Sequence, residues 1–169
     1  MKVEQSWDYK GLKCVVIMTD MGHRCGYVGI MPTNFFYGIN YSTEVNIDEE
    51  KKKELLEQPI GKRGVIDILC FNGNFTAGFI FDVHGGITYS GGGENSKYPI
   101  ESNLWWFGYD CSHCDDAKDL SVVSDSIREI ELKFPTNGIL RTLDYCIDEC
   151  NSLAEQLLKF EKAIEYRKV

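Results

Sequence analysis

A chain of 169 residues, 43% hydrophobic and 26% charged, has the length and composition of one folded domain with its own core. No window reaches the ~18 consecutive apolar residues of a membrane span, and the opening Met1-Lys2-Val3-Glu4-Gln5-Ser6 lacks the apolar centre of a secretory signal. The net charge of −8 repels nucleic-acid phosphate over most of the surface, which argues against general DNA binding and leaves only small anions held by local backbone N–H groups.

Residues 12–19 (LKCVVIMT) are apolar and partly β-branched and predict a strand. A second is expected over 25–31, after a turn through Asp20-Met21-Gly22-His23-Arg24. Residues 32–38 read as an ordered aromatic loop, and 48–58 as a short exposed helix of Glu, Lys and Leu capped by Asp48. Two further strands are predicted over 64–71 and 75–83, divided by the Asn72-Gly73-Asn74 turn signal. A short strand over 87–90, a glycine loop over 91–96 and an aromatic strand over 103–109 follow. Residues 110–126 are polar and loop-like, with a short helix or strand running on to Phe134.

From Pro135-Thr136-Asn137 the pattern changes. Leu140, Leu143, Ile147, Cys150, Ala154, Leu157 and Ile164 recur at spacings of three and four, which predicts a long amphipathic helix. At 1.5 Å per residue it would run about 45 Å, so part is expected to pack on the sheet and part to meet a second subunit. The fold class is therefore α+β: one domain over 1–169, with an antiparallel sheet of about five to six strands and site loops within 1–134 and the helix over 135–169.

All three histidines lie in glycine- and aromatic-rich motifs rather than in an apolar repeat: Met21-Gly22-His23-Arg24-Cys25-Gly26-Tyr27, Val83-His84-Gly85-Gly86-Ile87-Thr88-Tyr89-Ser90-Gly91, and Trp105-Trp106-Phe107-Gly108-Tyr109-Asp110-Cys111-Ser112-His113. Glycine lets a backbone approach a ligand closely, and imidazole donates, accepts, titrates or ligates metal near neutral pH. The expectation is one site assembled from three loops. In it His84 acts as donor or base, Gly85 and Gly86 and the Arg24 guanidinium meet phosphate, and Tyr89 and Ser90 supply hydroxyls. Neighbouring indoles on a strand face opposite ways, so one of Trp105 and Trp106 can line a cavity. Trp106 is the candidate to stack a base, with Asp110 and the imidazoles of His23 and His113 fixing a ribose or other polar group.

Other chemistries compete. His23, His84 and His113, supported by Asp110, are a candidate metal set, although no signature such as HExxH is present. Cys111 and Cys114 with Cys146 and Cys150 could form a structural zinc site, although the latter two lie one helical turn apart. Cys25 or Cys111 could be a nucleophile if a histidine adjoins it in space. Seven cysteines, an odd number without an export signal, point to a reducing cytoplasm and mostly free thiols. No GxxxxGK[ST], GxGxxG or GxSxG pattern occurs.

The ordered segments GHRCGYVGI, YGINY, VHGGITYSGG, WWFGYDCSHCDD and DYCIDECNSLAEQL resemble a family of small phage and prophage proteins marked by GHxCGYVG, HGGxTYSG and WWFGFDCxHxxD before a C-terminal helix. The likeness runs from Gly22 to about Leu157. Tyr109 and Ser112 stand where that pattern has Phe and Ala, and Cys114-Asp115-Asp116 departs from its run of small residues. The family carries no settled activity. The resemblance implies a phage-type protein acting on host physiology, with His23, His84, Tyr89, Trp106, Asp110 and His113 around a pocket. Taken together, the expectation is a cytoplasmic, homo-oligomeric protein without an obligate cofactor that sequesters a nucleotide-derived, anti-defence signal. The alternative is a hydrolase in which His84 and His113 serve as base and acid, with or without metal.

Overall fold

A computed structural model describes residues 1–57 and 73–165 of the chain, with side chains as far as 161. The expected strand over 64–71, with Asn72 of the turn that follows it, lies outside the described residues.

Five strands form one antiparallel sheet: β1 (Lys2–Tyr9), β2 (Leu12–Met18), β3 (Arg24–Ile30), β4 (Tyr89–Gly92) and β5 (Trp105–Asp110), in the order β1-β2-β3-β5-β4. The three most apolar strands take the three inner positions. β2 buries every residue but Lys13, as a strand covered on both faces must. β1 was not foreseen, because its sequence KVEQSWDY carries little apolar alternation and most of it stays exposed. It is an edge strand held by its neighbours. Lys10 and Gly11, at φ +50° and +90°, make the tight two-residue turn that sets Tyr9 opposite Leu12. Trp7 Nε1 donates to Asn151 Oδ1 at 3.0 Å and the Tyr9 hydroxyl to Glu155 Oε1 at 2.6 Å, both across to the C-terminal helix.

Four helices accompany the sheet among the described residues: α1 (Glu49–Glu57), α2 (Ala77–Ile80), α3 (Asp125–Lys133) and α4 (Leu143–Glu165). In α1 the Lys51 amide donates to Asp48 Oδ1 at 2.8 Å, the expected cap. The predicted strand over 75–83 is instead the single turn of α2. Residues 77–80 are all buried, so the segment carries no alternation to separate strand from helix, and Thr76 decides: its Oγ1 accepts from the Phe79 amide at 3.2 Å. The strand expected at 87–90 is β4, shifted by two residues, so that Gly91 and Gly92 belong to it rather than to a loop.

α4 lies across β1, β2 and β3. Cys146, Cys150, Leu153, Ala154, Leu157 and Phe160 face the larger core with Cys14, Val16, Val28, Phe36, Phe107 and Tyr109. The opposite face of the sheet holds a smaller core of Val15, Ile17, Cys25, Tyr27 and Trp106. Trp105 packs against the first and Trp106 within the second, so the two indoles do face opposite ways. α4 opens later than expected, at Leu143 rather than near 135–137, because the intervening chain is used elsewhere. Ile139 makes a bridge to Asp116 through Ala117 N to Ile139 O (3.0 Å) and Ile139 N to Asp115 O (2.8 Å). Thr142 Oγ1 then accepts from the Tyr145 amide at 3.2 Å, the contact of an N-cap. Thr142→Ala is expected to cost about 1 kcal/mol of stability, read as a lower urea midpoint at unchanged slope. No described helix is long and apolar enough to cross a membrane.

Candidate functional site

The pairing of β3 with β5 sets Cys25 opposite Asp110, so His23, just before β3, and Asp110, at the end of β5, reach the same end of the sheet. Two backbone contacts join their loops: Cys111 N donates to Arg24 O at 2.9 Å and Asp119 N to Gly22 O at 2.7 Å. Gly22 sits at φ +83°, where a Cβ would lie 2.6 Å from Val123 Cγ1, so this close approach requires glycine. The third motif arrives through Gly85 and Gly86, at φ +67° and +90°, which turn the chain from His84 towards β4. A Cβ on Gly85 would stand 1.7 Å from His113 Nε2: the imidazole rests on bare backbone.

At the centre is a buried polar network. His84 Nε2 lies 2.8 Å from Asp116 Oδ2 and Nδ1 lies 3.0 Å from the Tyr145 hydroxyl. A carboxylate only accepts, so Nε2 carries hydrogen towards Asp116 and, in the neutral ring, Nδ1 accepts from Tyr145. The His84 amide donates to Glu149 Oε2 at 2.9 Å. Asp116 also accepts from Arg141 Nε at 2.7 Å on Oδ1 and from the His113 amide at 3.0 Å on Oδ2. The Arg141 guanidinium lies 5.1 Å from the centroid of the Tyr145 ring. The Asp116 side chain is 1% exposed, and burial alone would raise its pKa. The hydrogen bonds from Arg141, His84 and the His113 amide outweigh burial and hold the carboxyl below its ordinary range. Burial, with Glu149 nearby, pushes the Tyr145 hydroxyl up to about 12, so it is a donor and not a nucleophile.

Beside this network two imidazole nitrogens are buried without a hydrogen-bond partner: His113 Nε2 and His23 Nδ1. The nearest ion-pair contact of His113 Nε2, Asp110 Oδ1, is 3.9 Å away, beyond hydrogen-bonding distance. The rings of His113 and His84 lie 5.4 Å apart between centroids. Burial lowers the His23 pKa against the opposing pull of Asp110, so His23 is neutral at pH 7. Buried polar atoms are nearly always paired in folded proteins, so two such atoms in one corner are a mark of a site.

The three motifs therefore bring together His23, His84, Gly85, Gly86, Asp110 and His113, but not the rest of the expected set. Arg24 is engaged, with Nε and Nη2 on Glu4 at 2.6 and 3.1 Å and Nη1 on Arg141 O at 2.7 Å, so it presents no free fork to a phosphate. Trp106 is fully buried, with Nε1 donating to Ser102 Oγ at 3.1 Å, and offers no face for a base. Tyr89 packs edge-on to Tyr27 and Tyr98, at 5.6 and 5.3 Å between centroids. Ser90 Oγ accepts from the Tyr41 amide at 2.9 Å. Tyr89 and Trp106 are taken up by the smaller core, Ser90 by a loop amide and Arg24 by Glu4.

Among the described residues no three His, Cys, Asp or Glu side chains are arranged to hold a metal ion. The cysteine tetrad does not assemble, since Cys114 is exposed while Cys111, Cys146 and Cys150 are buried. Neither Cys25 nor Cys111 is an activated nucleophile. Burial pushes the Cys25 thiol up to about 12, and Cys146 and burial together raise that of Cys111. The sequence reading missed Asp116, Arg141, Tyr145 and Glu149. The available signal was an aspartate three residues beyond His113 and an arginine just before a helix that carries Tyr145 and Glu149 one turn apart. No family model, curated protein or solved structure matches the chain.

Proposed function

We propose that this chain is a phage-type binding protein that captures a small polar ligand, a nucleotide derivative, at the corner of His23, Asp110 and His113. The observation that carries the reading is the pair of buried, unpartnered imidazole nitrogens beside a carboxylate, a set able to hold the hydroxyl groups of a ribose. Capture is favoured over hydrolysis because His84, the base of the alternative, has both ring nitrogens engaged by Asp116 and by a tyrosine of raised pKa. Its place is to hold the loop that supports His113.

The test is calorimetry and thermal shift of the pure protein with cyclic dinucleotides and ADP-ribose derivatives, followed by heating and recovery of the ligand. Binding with intact ligand, weakened about 5- to 150-fold by His113→Ala or His23→Ala, is expected, since each leaves a ligand group unpaired at a cost of ~1–3 kcal/mol. Degraded ligand would move the protein to the hydrolase class. Absence of any shift, or affinity unchanged in both variants, would end the reading.

Self-association belongs to the same proposal. As far as Phe160, α4 buries its apolar stripe within the chain, whereas Leu132, Phe134 and Ile139 are left 69%, 76% and 63% exposed. Light scattering is expected to report an oligomer that Phe134→Asp converts to monomer. A wild-type monomer at micromolar concentration would refute it.

A further inference from the structure

Two of the described cysteines meet in the larger core. Cys111 directly follows β5, and Cys146 lies in the first turns of α4. Their sulfurs are 3.7 Å apart, in contact across the seam between sheet and helix. Both are buried, at 3% and 0% exposure, but Cys111 is flanked by the exposed Ser112, and a peroxide is little larger than water. The helix N-terminus favours negative charge at Cys146. Arg24 is held over the approach to that helix by its 2.7 Å bond to Arg141 O. The contact with Cys111 lowers the Cys146 pKa against the opposing effect of burial, and Arg24 acts in the same direction as Cys111.

We propose that Cys111 and Cys146 are a modification site, closing to an intramolecular disulfide when the protein meets hydrogen peroxide. The Cys146 thiolate attacks one peroxide oxygen, breaking the O–O bond, and the departing hydroxide takes up a proton as water. The sulfenic acid on Cys146 is then attacked by the Cys111 sulfur. An S–S bond forms, the S–O bond breaks, and the Cys111 proton leaves with the hydroxyl as a second water. Two thiols are oxidised and one peroxide is reduced. The sulfurs must draw in to about 2.05 Å. The bond joins residues 35 apart in sequence and ties α4 to the end of β5, two residues before His113. Function of the histidine corner is not needed for the inference.

The test uses the reduced full-length protein. It is treated with hydrogen peroxide, alkylated under denaturing conditions without reductant, and digested with trypsin. Cleavage separates Tyr98–Lys118, which holds Cys111 and Cys114, from Thr142–Lys159, which holds Cys146 and Cys150. Fragmentation of the linked pair is expected to assign the bond to Cys111 and Cys146, with the mass of two hydrogen atoms lost. The oxidised protein is expected to melt higher, by roughly 5–10 °C, and to return on reduction. The Cys114→Ser variant should behave alike, which removes the exposed thiol as the source. Recovery of Cys111 and Cys146 both alkylated after treatment, or a link from Cys146 to any other cysteine, overturns the proposal without requiring a variant of either residue to fold.

Discussion

Asp116→Ala is expected to lower stability by about 3–5 kcal/mol, the usual cost of removing one partner from a buried ion pair. The reason lies in what is left behind. Arg141, whose side chain is 15% exposed, loses its closest carboxylate and keeps the exposed Asp115 at 3.2 Å, while His84 Nε2 and the His113 amide lose their acceptor. Urea denaturation at pH 7 measures this directly. The acid response supplies a second readout. The folded Asp116 carboxyl lies below its unfolded value of about 3.9, so its contribution is complete above that pH and is lost as pH falls through the folded pKa. His23, with its pKa lowered by burial, adds in the same direction at milder acidity: it must charge against its surroundings as pH falls below about 6.5. The wild-type urea midpoint should therefore fall in two stages on acidification, and Asp116→Ala should shrink the lower one, to which Glu54, Asp119, Glu131 and Glu155 also contribute. A variant that matches wild type at pH 7 and keeps the full acid slope would show that the network carries no net stability.

Gly85→Ala is expected to weaken ligand capture strongly while leaving the protein folded. At φ +67° an alanine costs about 1–2 kcal/mol in backbone strain alone. The new methyl also claims the position of His113, whose Nε2 would lie 1.7 Å from it, so the imidazole must swing away. Strain and displacement separate cleanly in experiment. The urea midpoint reads the first, and the histidine ring resonances together with nucleotide titration read the second. Affinity is expected to fall at least tenfold, well beyond what the modest loss of stability would produce in a protein that remains folded. Wild-type affinity in Gly85→Ala would separate His113 from the ligand and leave Asp110 and His23 alone at the corner.

Much of the fold was legible because burial leaves a periodic trace. β2, β3 and β5 are apolar runs, β2 lying between the turns at Gly11 and Gly22, and α4 repeats its apolar residues at three and four. β1 was illegible because an edge strand needs no apolar face, and it is recruited by Trp7 and Tyr9 reaching to α4. α2 was misread because a wholly buried turn has no period at all. Part of the site was likewise visible: glycine beside histidine marks places where a chain must pass closely or turn at positive φ. The partners of those histidines leave no such mark. An aspartate in a polar loop, an arginine before a helix and a tyrosine on its first turn have the same appearance whether solvated or buried.

By itself, then, the amino-acid order determined the sheet-and-helix class, most element positions and the choice of three histidine loops, because each follows from local sterics and the periodicity of buried side chains. Tertiary structure alone decided which loop residues share a space. Strand pairing carried His23 and Asp110 to one end of the sheet, while packing of the smaller core closed over Trp106, on the face opposite Trp105 and Phe107. It also placed Arg24 on Glu4 instead of on a ligand, and drew Asp116, Arg141 and Tyr145 from distant segments around His84. Contacts between residues far apart in number depend on register and packing, and neither is written in any single segment.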